Sequence, residues 1–280
     1  MSHMAAGFLR EGYNTLYISL EMSEEKIAER IDANLMGVDL DKIKLLGKDL
    51  FCTKIANIAA KTQGRLFVKE YPNGSAHTGH FRGLVEELKT KQNFKPDVIL
   101  VDYLACCASA RLKLGGSVNS YAFLKSISEE LRALATELDL PIITAGQVNR
   151  GAYGSSDIDL SDTSESMGII HTSDLVLGLV RTEELDSMNQ LMITQLKNRY
   201  SDPASNKRFI VGLNRAQMKL SDIDGGGSFT PDATNKKYEP KPRQTVQDVP
   251  KNLSQGAISD MMDSLPITKP KSLNTQGFAF

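Results

Sequence analysis

The sequence predicts an α/β fold in which a parallel or mostly parallel sheet is flanked by helices and followed by a disordered tail. Three observations lead there. Short apolar runs alternate with segments of helical period from the start to about Leu220, and strands separated by helices pair in parallel. One run, Asp97-Val98-Ile99-Leu100-Val101-Asp102, is almost continuously apolar, the pattern of a strand buried on both faces. From Ser221 the composition shifts: Gly225-Gly226-Gly227 opens a stretch rich in Pro, Lys, Asn, Gln and Thr. Such a stretch buries too little apolar surface to offset its ordering entropy.

The elements follow in order. Met4 to Arg10 reads as the end of a helix closed by Gly12, and Thr15 to Leu20 as a compact strand. Met22 to Leu35 carries Ile27, Ile31 and Leu35 at helical spacing, with Ser23 as N-cap before a Glu-rich first turn. A charged helical stretch runs to about Lys61, followed by a strand from Arg65 to Lys69. Past the turn Tyr71-Pro72-Asn73-Gly74 come a helix from about Thr78 to Thr90, the strand ending at Asp102, and a helix from about Ser120 to Leu138. Pro141 to Gly146 is another buried strand, and Leu175–Val180, Leu191–Leu196 and Arg208–Leu213 supply three more. The close spacing of these last strands allows an antiparallel edge. Within the tail, residues 257–265 have the pattern of a short amphipathic helix suited to a partner, with an inert solvated tail as the plainer reading.

Composition excludes several classes. Lysine plus arginine (33) nearly cancels aspartate plus glutamate (34), which argues against a wholesale basic nucleic-acid binder but not against a basic channel inside an assembly. No apolar run reaches the roughly 18–20 residues that span a membrane, and the first residues lack a secretion signal. Three cysteines, with Cys106 and Cys107 adjacent, are not a disulfide framework, and in a strand such neighbours point to opposite faces. The cell interior is the natural compartment. His77 and His80 have a metal-like HxxH spacing without partners to complete a site.

Several strand ends carry groups suited to nucleotide chemistry, each with a plainer competing account. Asp102 closes a buried strand, where a carboxylate can serve Mg²⁺ through its waters; any buried strand may equally end in aspartate. Glu21, after Ile18-Ser19-Leu20, can orient the water that attacks a γ-phosphate, or favour the N-terminus of the next helix. Gln147 ends its strand with an amide able to bridge a phosphate and a loop, or simply to face solvent. The Gly/Ser-rich stretch with Asn149, Arg150 and Gly151 can track a single-strand backbone, whereas Asp157, Asp159, Asp162 and Glu165 suit the start of a helix. Lys197 and Arg199 point to one side by the two-residue period and can reach one triphosphate, or form a solvated basic edge.

In this order the stretches Leu16-Tyr17-Ile18-Ser19-Leu20-Glu21-Met22, Glu29-Arg30-Ile31-Asp32-Ala33-Asn34, Ile99-Leu100-Val101-Asp102-Tyr103-Leu104, Gln147-Val148-Asn149-Arg150, Leu160 to Ser166 and Lys197-Asn198-Arg199-Tyr200 are similar to one family. From about Ser2 to Leu220 the chain resembles the RecA-like motor domain of DnaB-type replicative DNA helicases, in the branch found in T-even phages. The resemblance implies ATP and Mg²⁺ as cofactors, with Glu21 polarising the attacking water, Asp102 as the Walker B aspartate and metal ligand, and Gln147 as sensor. It implies Arg199 as an arginine finger offered to the neighbouring subunit's ATP, with Lys197 as companion. It assigns the loops bearing Arg111, Lys113, Gly115 and Gly116, and Asn149, Arg150 and Gly151, to the DNA channel of a hexameric ring. Single-stranded DNA, primase and a helicase loader become the expected partners, and the host cytoplasm the compartment of a phage protein.

The sequence departs from the family in one respect: no G-x-x-x-x-G-K-[ST] occurs, the loop whose amides, lysine and hydroxyl hold phosphates and Mg²⁺. The expectation is a motor domain over 1–220 without its phosphate loop, inactive alone in ATP hydrolysis, followed by a tail over 221–280. Two other readings stay open: a RecA-like recombinase forming filaments, and a non-catalytic DNA- or partner-binding subunit.

Overall fold

The computed structural model describes residues 1–113, 118–147, 167–202 and 207–223, all within one unit, Met1–Thr230. The readings made for 224–280, including the short helix at 257–265, lie outside the described residues. In chain order the elements are α1 (Ser2–Arg10), β1 (Thr15–Ser19), α2 (Glu24–Met36), α3 (Leu40–Ile43), α4 (Lys48–Lys61), β2 (Leu66–Glu70), α5 (Thr78–Gln92), β3 (Val98–Asp102), α6 (Ser120–Leu138), β4 (Ile142–Thr144), α7 (Met167–Thr172), β5 (Leu175–Val180), α8 (Glu183–Ser187), β6 (Gln190–Asn198), β7 (Arg208–Asn214) and β8 (Lys219–Ser221).

β1 to β4 form a parallel sheet in the order β2-β1-β3-β4. The two central strands show why their sequences are apolar throughout. Leu16 and Ile18 of β1 and Ile99 and Val101 of β3 face α5 and α6, joining Phe81, Leu84, Leu88, Ile127, Leu131 and Leu134. The alternate residues Tyr17, Val98 and Leu100 face α1 and α2, joining Ala5, Ala6, Leu9, Ile27 and Ile31. Each fully buried aliphatic side chain contributes about 1.5–3 kcal/mol, so both faces hold the sheet.

Local signals set the helix limits. The Ser23 side chain accepts from the Lys26 N–H, Glu24 and Glu25 sit in the positive first turn, and Gly37 ends α2 with φ 65°, a left-handed conformation that glycine adopts without strain. Asn119 caps α6 through the Ala122 N–H.

The later strands form a separate antiparallel sheet, β5-β6-β7-β8, rather than an edge on the parallel one. Among the described residues β5 pairs with β6 alone, and Leu175, Leu177 and Leu179 alternate outward as exposed residues. The expectation of a fully buried strand there therefore fails: Val180 packs on Leu185 and Met192 on one face, while the leucines of the other face are uncovered among the described residues, as antiparallel sheets allow.

The turn between β7 and β8 docks on α1, α2 and the start of α3 through polar groups. Asn34, 1% exposed, accepts from the Arg10 guanidinium at 2.8 Å and donates to the Met218 carbonyl at 2.6 Å. The Leu40 N–H donates to the Ala216 carbonyl at 2.8 Å, the Gln217 amide to Asp39 at 3.2 Å, and the Leu220 N–H to the His3 ring at 3.4 Å. Among the described residues no helix is long and apolar enough to cross a membrane. Asn34→Ala leaves the Arg10 guanidinium and the Met218 carbonyl short of a partner. We expect it to lower unfolding stability by about 1–3 kcal/mol, read as a shift in the urea midpoint at unchanged m-value.

Candidate functional site

The carboxyl ends of the parallel strands lie level. β1 and β3 run in register with Ser19 opposite Asp102, and β2 sets Glu70 opposite Ser19. The ladder continues past the ends: the Leu20 N–H donates to the Asp102 carbonyl at 2.9 Å and the Leu104 N–H to the Ala145 carbonyl at 3.2 Å. Glu21, Asp102 and Gln147 thus leave the sheet at one edge, where open α/β sheets bind their ligands. Glu21 is exposed and projects from a pinned turn. Ser19 Oγ donates to the Met22 carbonyl at 2.5 Å and accepts from the Met22 N–H at 3.1 Å.

Strand alternation decides which way Asp102 faces. It lies two residues beyond Leu100 and so on the α1–α2 side, where the fully buried Tyr17 donates its phenol to Asp102 Oδ2 at 2.5 Å. Burial first, then the hydrogen bond and charge of Asp102, raise the Tyr17 phenol well above its ordinary value. The amino end of α1 reaches the same place. Ser2 lies close to the Tyr17 hydroxyl.

A second cluster gathers cations around the turn from α7 to β5. α7 lies close against α6 because Gly168 has no side chain: a Cβ there would come within 2.8 Å of Lys125 Cβ. Lys197 donates to the Ile170 and His171 carbonyls at 2.8 and 2.9 Å. Burial first, then the nearby Arg199, lowers its pKa. Arg199 pairs with Asp174 Oδ1 at 2.8 Å, and Arg132 of α6 reaches the same oxygen at 2.9 Å while donating to the Thr172 carbonyl at 2.6 Å. The two cations read as a pair are thus held at one turn, each by a different partner.

A third cluster lies on the loop after β3. Arg111 and Lys113 are exposed, and Arg111 pairs with Glu129 of α6 at 3.5 Å. The loop is anchored by the Ala108 N–H on the Ala76 carbonyl at 2.8 Å and by the buried Glu130. Gly115, Gly116, Asn149, Arg150 and Gly151 lie outside the described residues.

Two sequence motifs resolve into structural roles. His77 Nδ1 accepts from the Gly79 N–H at 3.0 Å, and His80 Nδ1 accepts from the His77 N–H at 3.3 Å. The HxxH spacing is a capping box for α5, which needs partners three residues apart just as a helical metal pair would. Cys106 and Cys107 belong to a 3₁₀ turn and its end, not to a strand, and both enter the core shared with α5 and α6. Burial pushes the Cys107 thiol up to about 12.

Four residues of these clusters escape sequence reasoning. Tyr17 was legible in principle, since a tyrosine in an aliphatic strand needs a partner for its hydroxyl. Glu130 also carries a signal: it falls on the stripe Ile127, Leu131, Leu134 that faces the core. Arg132 and Asp174 are joined only by tertiary contact.

Known proteins resemble this arrangement. A family model described as DnaB-like helicase C-terminal domain matches residues 1–217. A DnaB-like replicative helicase of Enterobacteria phage T4 is 44% identical over 224 residues, covering 79% of this chain and 47% of the relative. A probable plasmid replicative DNA helicase of Chlamydia psittaci is 30% identical over 214 residues, covering 74% of this chain and 42% of the relative. The chain thus spans about half the length of the curated relatives it matches. A solved structure of a DnaB-like replicative helicase, described with its interactions with primase, superposes with a TM-score of 0.64 at 18% identity over 79% of this chain and 53% of that one. A second solved structure, described as an ATPase domain, gives 0.63 at 17%, over 79% and 80%. At these identities the superpositions establish the fold alone, a RecA-like one.

The Tyr17–Asp102 contact has a direct test. Tyr17→Phe removes one hydrogen bond to a carboxylate, and we expect a loss of about 1.5–3 kcal/mol in stability. Because the folded phenol is raised, the wild-type minus variant difference in tyrosine absorbance should show no ionisation as pH passes 10, the ordinary tyrosine value. A normal titration in that difference would mean that Tyr17 does not bond Asp102 in solution.

Proposed function

The chain belongs to the family of DnaB-like helicase C-terminal domains, and from that premise we propose that it is the motor portion of an ATP-dependent 5′→3′ replicative DNA helicase at a phage replication fork. Residues 1–220 form the motor in this reading. The observation that supports it is the level carboxyl edge of β1 and β3, from which Asp102 and the turn bearing Glu21 leave side by side.

The donor set fits ATP with Mg²⁺. Tyr17 takes Asp102 Oδ2, orienting a hard carboxylate oxygen of the kind Mg²⁺ prefers. When bound, Mg²⁺ neutralises charge on the phosphate oxygens. Asp102 is the residue to hold it, through water. Glu21, exposed on its pinned turn, accepts a hydrogen bond from the attacking water and orients it. Gln147 leaves β4 at the same edge and links the phosphates to the loop beyond. Arg199 and Lys197 serve a neighbour's nucleotide across the interface of a hexameric ring, where a guanidinium meets phosphate oxygens in two-point fashion. Arg111, Lys113, Asn149, Arg150 and Gly151 face single-stranded DNA in the channel. The solved relative's primase, together with a loader, is extended to this chain as a partner of the complete helicase, in the cytoplasm of the infected host.

These 280 residues contain no G-x-x-x-x-G-K-[ST], so the reading expects no ATP hydrolysis from them alone. The test is DNA-stimulated ATP hydrolysis by the chain alone and by the chain joined to a phosphate loop ahead of Met1. The joined form should turn over. Glu21→Gln should then cost about 10²–10⁴-fold in rate, and Arg199→Ala about 10³-fold or more. A joined form that turns over at the same rate with Gln at position 21 would remove the proposed role of Glu21. A joined form that binds DNA but never hydrolyses ATP would favour the binding-subunit reading.

A further inference from the structure

Glu130 is a buried carboxylate that the proposed catalytic roles do not use. It lies in the middle of α6, 5% exposed, on the stripe that faces the core. Oε1 accepts from Ser109 Oγ at 2.5 Å and Ser126 Oγ at 3.1 Å; Oε2 accepts from the Ala110 N–H at 2.9 Å and Thr78 Oγ1 at 3.4 Å. Ser109 Oγ in turn accepts from the Arg111 and Leu112 N–H groups at 3.1 and 3.0 Å. Among the described residues no cation pairs with Glu130.

A carboxylate buried against neutral donors costs more than an apolar side chain of similar size, so packing does not account for it. What it supplies is acceptance at both oxygens. A glutamine would turn an NH₂ donor either toward the two serine hydroxyls or toward the Ala110 N–H. Leucine would leave all of those donors unpaired. Burial opposes ionisation, but the hydrogen bonds from Ser109, Ala110 and Ser126 outweigh it and hold the carboxyl below its ordinary value. The charged form is therefore the one that organises the loop at neutral pH.

We infer that Glu130 is a positioning residue for single-stranded nucleic acid: it fixes the loop from Ala108 to Lys113 so that Arg111 and Lys113 are presented together to a phosphate backbone. The inference rests on the reading of this loop as a DNA contact. Glu130 touches no nucleic acid itself; it acts through Ser109 and the backbone of Ala110. Glu129, one residue earlier, holds the Arg111 guanidinium and is the group that a phosphate would displace.

The experiment is a fluorescence-anisotropy titration of a labelled oligothymidine with the 280-residue chain over a series of salt concentrations. Glu130→Gln should weaken binding about tenfold at fixed salt, the scale of one lost charged hydrogen bond. It should leave the slope of log K against log[salt] unchanged, because both cations remain to release counterions. Ser109→Ala should weaken binding too, and the double variant should be no weaker than the worse single one, since both cut the same link. Arg111→Ala with Lys113→Ala should instead flatten the slope by about 0.7 for each cation. Binding by the Glu130→Gln chain as tight as wild type would overturn the inference. So would additive losses from Ser109 and Glu130, or a flattened slope, which mark general damage to the fold. Unchanged affinity and slope in the double-cation variant would instead remove the DNA reading of the loop, and the inference with it.

Discussion

The backbone of β1 and β3 has no access to water, and most of what the molecule does follows from that. Both strands are covered on both faces by helices, so their N–H and C=O groups must bond to each other and to β2 and β4. The parallel register that satisfies them brings Ser19 level with Asp102. A level edge lets the turn carrying Glu21 and the 3₁₀ turn after Asp102 begin side by side. The same constraint fixes side-chain parity, which sends Asp102 toward α1 and brings Tyr17 up beneath it. The site is thus a product of strand pairing before it is a product of any polar residue.

α6 is the second organising element, with different tasks on different faces. Its apolar stripe packs on the sheet, Glu130 secures the loop after β3, and Arg132 reaches the turn from α7 to β5 to share Asp174 with Arg199. Loop and arginine are each tied to the same rigid helix, so their spacing is set by helix geometry rather than by the loops. Asp174 serves two guanidiniums with one oxygen. It would keep a partner if either were drawn away, which avoids the cost of leaving a partly buried charge alone.

Much of this was legible in the chain. The strand Val98–Asp102 announced itself by four apolar residues closed by an aspartate, and α6 was legible from about Ser120 to Leu138. The short elements were not legible for a physical reason. β8 has three residues and α8 five, too few for a period to emerge, although Thr182 before two glutamates is a capping signal. The two histidines at 77 and 80 could be set aside as a metal pair for want of partners, but their capping role was not read, because capping and metal binding ask for similar spacing. The separation of the second sheet was hidden because hydrophobic pattern reports burial, not which sheet a strand joins. Glu21 and Asp102 could be read only as acids at strand ends; their adjacency required the register. Contacts such as Asp174 with Arg132 join residues 42 positions apart, and no local rule connects them.

The docking of the β7–β8 turn on α1, α2 and the start of α3 has a consequence for how the fold comes apart. The apolar clusters of the antiparallel sheet are distinct from the two that hold the parallel sheet, and the turn is fastened by a handful of hydrogen bonds at about 0.5–1.5 kcal/mol each. Opening there would cost a few kcal/mol, less than global unfolding of a domain. Amide protons of β8 and the adjacent turn would then exchange with solvent through a subglobal opening, ahead of those in β1 and β3. The molecule would breathe at the hairpin while the edge bearing Asp102 stays closed.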